Sequence, residues 1–225
     1  MFSLKVDSSW DTYIIIAAFT LCLLYGLKNL WYTITVGYGL CVSIQAVIVF
    51  ILYYDYIWDN PDRVNANLLL CHLIISIAYA LRLVSFITIR SHNKSYMETQ
   101  RSRQVISRSV SGTVCMVLMC GCIYFFMTSP VLAHARSLKM HYPVNIPIRI
   151  IGLYIMVSGL FIESTADMQK SSFKKDHPTS FCSKGLYKYV RMPNYFGEML
   201  FWTGSLVAAF ASKMQPYIMR SEEHT

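Results

Sequence analysis

Charge is what this chain has least of. Its 225 residues include 12 Asp and Glu and 20 Lys and Arg, so only 14% are charged, while 55% are hydrophobic. An ordinary soluble domain is about 25% charged and about 45–50% apolar. A globule of this length has no interior large enough to hide the excess. Glycine is also scarce, at 10 residues, which excludes a collagen-like repeat. The same shortage of charge, beside 14% aromatic residues, excludes intrinsic disorder. Seven cysteines are present, mostly inside apolar runs, but no C-x-x-C pair and no Cys/His cluster has metal spacing. Cys120 and Cys122 fall on different faces of a helix, so the cysteines read as small apolar fillers and no metal is expected. No cleavable signal is evident, because Asp7 and Asp11 precede the first apolar run and no small-residue cleavage site follows it. The net charge of +8 would ordinarily raise nucleic acid as a partner. Here the cations sit in short segments between apolar runs, so no nucleic-acid partner is expected. What is left is an all-α, polytopic membrane protein.

A spanning helix needs roughly 20 apolar residues. Residues 12–30, 32–53, 68–89, 110–132 and 146–162 supply five complete spans, and 195–211 begins a sixth near the C-terminus. The second run closes on Asp55-Tyr56-Ile57-Trp58-Asp59-Asn60-Pro61, an interfacial cluster of the kind aromatic belts make. No internal repeat is visible, and residues 1–219 read as one domain. Lys5, Arg63, Arg136, Lys139 and Arg149 fall on one side of these spans. Twelve Lys and Arg fall on the other: Lys28, five between Arg90 and Arg108, and six between Lys170 and Arg191. The positive-inside rule then predicts an external N-terminus and a cytosolic 163–194 segment, in the endoplasmic reticulum of a eukaryote or the inner membrane of a bacterium.

Within that frame a few polar residues stand out. Arg82 lies in the middle third of the third run, where a charge costs at least about 2.5–3.5 kcal/mol and must find an anion, a carbonyl or water. Tyr79 is three residues earlier, on the same helical face. A phenol beside a cation is a better proton donor than a free one. Glu163, Asp167, Lys170 and Lys174 are spaced four, three and four residues apart and line one face. Acids at the membrane boundary followed by cations suit a ligand with both hydroxyls and phosphates. The same spacing also describes a solvated face of i,i+4 pairs. In the run from Lys184 to Glu198, Arg191 offers a bidentate grip on phosphate, and Tyr187 and Tyr195 offer flat faces for stacking. Asn194 and Glu198 form an i,i+4 polar pair at the entrance of the sixth run. A juxtamembrane basic and aromatic anchor has the same composition.

The order Glu163-Ser-x-Ala-Asp167-x-Gln-Lys170-x-x-Phe-Lys174, followed by Gly185-Leu-Tyr-x-Tyr-x-Arg191-x-Pro-Asn194-Tyr-Phe-Gly-Glu198, resembles the steroid 5-alpha-reductase-like family of polytopic membrane reductases. Ala80-Leu81-Arg82-Leu83 looks like the matching earlier helix. The likeness covers most of the chain and is strongest over residues 159–204. It implies NADPH-dependent reduction of a carbon–carbon double bond conjugated to a carbonyl, in a lipid or steroid-like substrate. By matching positions it implies cofactor contacts from Asp167, Lys174, Arg191, Asn194, Tyr195 and Glu198, joined by Glu163 and Arg82. Tyr79 falls where the family places a tyrosine near the reacting carbonyl, so the resemblance makes it the catalytic residue.

Two departures stand against that pattern. Met192 occupies a position where the family usually has His, and Met neither donates a hydrogen bond nor carries charge. The family also continues past the sixth run with another hydrophobic stretch and a basic tail. Arg220-Ser221-Glu222-Glu223-His224-Thr225 reads as translated adapter sequence, which predicts an artefactual 220–225 tail on a chain interrupted near Met219. A rival reading is a membrane methyltransferase using S-adenosylmethionine on isoprenylated cysteine or phospholipid, because that group carries a similar Arg-His-Pro-x-Tyr-x-Gly stretch. A non-enzymatic channel, transporter or scaffold is a third, although the chain has no paired broken helices and one full charge well inside a span.

Overall fold

A computed structural model of the protein describes residues 10–28, 33–92, 110–178 and 180–212. The expected 220–225 tail, the break near Met219 and the basic residues Lys5, Lys94, Arg101, Arg103 and Arg108 lie outside these described residues. The described residues are helical, with no strand among them. Four helices are long and apolar enough to cross a membrane: Ile34–Leu52, Arg63–Ser91, Ser111–Lys139 and Ile146–Asp176. The first apolar run is a shorter apolar helix over Thr12–Leu24, and the sixth is also helical. Large apolar side chains such as Ile74, Phe126, Tyr154 and Phe161 point outward, as they do on helices solvated by lipid.

The chain forms two compact units, Met1–Lys139 and Met140–Thr225. The first holds α1 (Trp10–Lys28), α2 (Tyr38–Leu52) entered through a π turn at Thr33–Gly37, the short α3 (Tyr54–Trp58), α4 (Arg63–Ser91) and α5 (Val110–Lys139). Its apolar core gathers Ile14, Ala46, Val49, Leu69, Leu73, Val131 and Ala135. The ends of these helices are tied by polar side chains. Asp62 caps α4 by accepting from the Asn65 N–H at 3.0 Å. Arg63 donates to the Trp58 carbonyl at 2.6 Å, closing α3. Buried Asn60 donates to the Leu138 carbonyl at 3.3 Å and so fastens this corner to the end of α5.

Pro130 sits inside α5 and cannot donate to the carbonyl of Phe126, four residues back. Ser129 takes over that carbonyl with its hydroxyl at 2.7 Å, so no backbone acceptor is stranded there in an apolar medium. The helix then continues seven residues beyond the apolar run that predicted it.

The second unit is a helical hairpin. α6 (Ile146–Asp176) and α7 (Pro193–Phe210) run antiparallel, joined by a segment with a 3₁₀ turn at Gly185–Lys188. Asn145 caps α6 by accepting from the Ile148 N–H at 3.2 Å, with Pro147 in the first turn. The two helices meet through glycines seven residues apart on each: Gly152 and Gly159 on α6, Gly197 and Gly204 on α7. A Cβ on Gly159 would lie 2.5 Å from the Phe201 nitrogen, and one on Gly204 2.6 Å from the Gly152 carbonyl oxygen. Seven residues are two turns, so each pair shares one face and lets the backbones touch, as helices in membranes do where no hydrophobic force joins them. α6 does not stop at the end of its apolar run. It carries on as one helix through Asp176, which makes the 163–174 motif helical throughout.

Candidate functional site

In the first unit, Tyr79 is almost fully buried, at 1% exposure. Its hydroxyl lies 3.4 Å from that of Tyr38 on α2. Tyr38 in turn stacks on Tyr124 of α5, with ring centroids 5.3 Å apart. Arg82 is half-buried, and its guanidinium carbon sits 5.7 Å from the Tyr79 ring centroid. The shared face expected from the three-residue spacing is therefore realised as a cation over a ring. Gly39 explains how α2 comes close enough: a Cβ there would lie 3.0 Å from the Ala80 carbonyl oxygen.

In the second unit, Glu163, Asp167, Lys170 and Lys174 follow one another along a single face of α6. Glu163 and Asp167 are buried, at 5% and 7% exposure, and Lys170 and Lys174 are half-buried. Glu163 lies directly under α7, since a Cβ on Gly197 would fall 2.6 Å from its backbone nitrogen. Lys174 is engaged by the chain itself, donating to the carbonyls of Pro178 at 3.0 Å and Ser180 at 2.7 Å. Its role in the apo chain is to hold the turn after α6.

The segment from Cys182 to Val190 folds back on α6. Tyr187, Cys182 and Ala166 form a buried cluster with Phe173 and Leu186 packed against it. Tyr187 is therefore buried beneath the 3₁₀ turn, against Ala166 and Cys182, and is not presented as an open face. Gln169, which the sequence reading left without a role, positions the turn: its side-chain oxygen accepts from the Leu186 N–H at 2.8 Å. The turn begins at Gly185 with φ +62, where a side chain would be strained and would also strike Gln169. The pairing of Gln169 and Gly185 was present as letters, but their sixteen-residue separation hid it.

Arg191 and Tyr195 are exposed, and Asn194 and Glu198 half-buried, around the start of α7. Met192 is the N-cap residue of that helix and makes no side-chain cap, with Phe196 N–H bonding only its carbonyl at 3.2 Å. Pro193 follows at the first helical position. The result is a helix N-terminus with open backbone donors flanked by a guanidinium, which is the chemistry anions bind. Of the expected site residues, the second unit thus gathers Glu163, Asp167, Lys170, Asn194 and Glu198 around the antiparallel start of α7, with Arg191 and Tyr195 outward. Tyr79 and Arg82 belong to the first unit. No group of metal-ligating side chains occurs among the described residues.

Two further features escaped the sequence reading. Arg149, which the letters place near the start of the fifth span among the charges of the sparser side, is fully buried near the start of α6, and its Nε donates to the Ala208 carbonyl at 3.0 Å. It closes the C-terminal end of α7, where carbonyls lack partners and a cation is favoured. His72 and His134, both fully buried, bring their Nδ1 atoms to 3.2 Å across α4 and α5. Sequence spacing gives no hint of a contact 62 residues apart.

Fold and site together define an all-α protein with membrane-length apolar helices and a polar, mixed-charge patch at one end of a glycine-packed hairpin. The chain belongs to the family described as "Protein of unknown function (DUF1295)", whose profile matches residues 27–219. No curated protein and no solved structure matches the chain.

Proposed function

We propose that this chain is a membrane-embedded reductase that saturates a carbon–carbon double bond conjugated to a carbonyl, in a lipid or steroid-like substrate, at the expense of NADPH. The observation that carries the reading is the second unit's donor set. Two buried carboxylates on α6 suit the hydroxyl and amide groups of a dinucleotide. The open N-terminus of α7 beside Arg191 suits its phosphates. Lys170, Asn194, Tyr195 and Glu198 complete a set in which every chemical part of such a ligand has a partner of the right kind. Lys174 would contribute only by exchanging its present backbone carbonyls for phosphate. Tyr187 would act from below, by holding the turn. In this reading the motifs face the cytosol, where the cofactor is found.

When bound, NADPH would supply the hydride. In the first unit, Tyr79, with Arg82 over its ring, would serve as the donor of a phenolic hydrogen to a carbonyl oxygen on which negative charge builds. Its burial keeps bulk solvent away, which would strengthen that donation.

The test is thermal stabilisation of the purified chain in detergent, titrated in parallel with NADPH and S-adenosylmethionine. A ligand that binds only the native state stabilises it, by about 2.7 kcal/mol at a hundredfold excess over Kd, and so raises the melting temperature. NADPH should do so, with the effect lost in Asp167→Ala and Asn194→Ala. Stabilisation by S-adenosylmethionine alone, or indifference to millimolar NADPH, overturns the proposal.

A further inference from the structure

The interior of the first unit is more polar than a lipid-embedded bundle needs. On α4, His72, Ser76 and Tyr79 share one face, and all three are buried. On α5, Tyr124, Thr128 and His134 are buried. On α2, Tyr38 and Gln45 are buried and two turns apart. Contacts fix both ends of this column. Tyr38 joins Tyr79 and Tyr124 at one end, and His72 joins His134 at the other. α2 runs antiparallel to α4, since Gly39 packs on Ala80 and Val84 while Val49 and Leu52 share a core with Ala66 and Leu69. Seven residues on from Tyr38, Gln45 is therefore level with the turn of α4 between His72 and Ser76. Gln45 has no exposure to solvent, and neither atom of its amide meets a hydrogen-bond partner. An amide left so is costly, and ionisable side chains at this depth, such as the two histidines, are functional candidates by default.

We infer that this column is the proton supply of the reduction, with the His72–His134 pair as its store and water held at Gln45 and Ser76 as its link to Tyr79. The inference rests on the reductase reading and deepens it. Hydride on the β-carbon and the Tyr79 proton on the carbonyl oxygen give an enol, whose tautomerisation leaves the added hydrogen on the α-carbon, so each turnover consumes NADPH and one proton and yields NADP⁺. A Tyr79 that has given up its phenolic proton is a phenolate and must be recharged before the next turnover. Two imidazoles joined Nδ1 to Nδ1 share one N–H when neutral and take one further proton as a pair. That proton passes to the phenolate, and the pair then takes up the next one. The other titratable groups around the column are Tyr38, Tyr53, Tyr124, Cys22, Cys41 and Cys120, and Arg82, ten residues along α4 from His72. His72, His134 and Gln45 touch neither substrate nor cofactor and are positioning residues.

The experiment uses the full chain in lipid nanodiscs, labelled with ¹⁵N-histidine and ¹³Cζ-tyrosine, the Tyr79 signal being assigned with Tyr79→Phe. One proton should enter the histidine pair as pH falls, and the Tyr79 signal should follow that titration. In Gln45→Leu, which removes an unmet amide and keeps the volume, the histidines should still titrate and Tyr79 should cease to follow. With NADPH saturating and 4-cholesten-3-one as the probe enone, kcat should fall as pH rises through the pair's titration. His134→Gln and Gln45→Leu should each lower kcat roughly tenfold, a fraction of what a general acid contributes, with KM for NADPH unchanged. A Tyr79 signal indifferent to the histidines overturns the proton route whether or not the chain reduces an enone. Unaltered kcat and pH profile in both variants overturn it too. A chain that ignores NADPH while Tyr79 tracks the histidines keeps the column and sinks the reductase reading instead.

Discussion

Arg149 shows how a single side chain can close a membrane hairpin. Its stem and head are sealed from solvent, and its Nε is spent on the Ala208 carbonyl near the end of α7. Arg149→Met keeps most of the apolar volume and strands that carbonyl, a loss of about 1–3 kcal/mol. For a chain of this size that lowers the melting temperature by roughly 2–12 °C. Lys175→Met, at an exposed position on the same helix, should leave it unchanged in the same thermal scan. Met192 presents the opposite case, an N-cap position filled by a residue that cannot cap, with its side chain 47% exposed. Met192→Asn should raise stability by about 0.5–2 kcal/mol, read as a higher melting temperature without cofactor. If Met192 packed or capped in some other way, the substitution would lower it.

The helix pair α6–α7 depends on the absence of side chains more than on their presence. At Gly159 an added methyl meets the backbone of α7, at the Phe201 nitrogen and the Gly197 carbonyl. Backbone cannot swing aside, so Gly159→Ala should cost about 1–3 kcal/mol, as overpacking does, and lower the denaturation midpoint. At Gly39 the nearest atom is a Val84 methyl at 2.6 Å, which a rotamer change can move, so Gly39→Ala should cost less. Equal losses at the two sites would refute the backbone-contact account. The periodic part of this element was legible in the letters: Glu163, Asp167, Lys170 and Lys174 do line one face of one helix. What the letters hid depends on partners distant in the chain. The glycine spacing means little until a second helix answers it, Tyr187 looks like any surface tyrosine until Ala166 and Cys182 close over it, and a lone histidine on an apolar helix gives no sign of the histidine it faces. The burial of Arg149 is hidden for a related reason: it stands three residues into α6, and nothing in the letters shows that this turn is covered by the end of α7.

For the molecule as a whole, the distribution of cations is the one feature that relates the fold to the two sides of a membrane. Arg149, three residues into α6 and sealed from solvent, still lies at the end of that helix with the sparser group, so the count stays at five against twelve. The turn after α5, where His141 adopts φ 50 and Met140 to Pro143 are exposed, belongs to the sparser side. The segment carrying Lys184, Lys188 and Arg191 belongs to the richer one. A glycosylation acceptor, Asn-x-Ser flanked by short linkers, inserted after His141 should therefore be modified in a microsomal translation system, and the same insert after Tyr189 should not. Both sites are exposed and outside long helices, so insertion should be tolerated at each. The reverse pattern would put the α7 entrance outside the cytosol, away from the pool of NADPH. It would leave the glycine-packed hairpin intact as a structure while removing the reason to assign it that ligand.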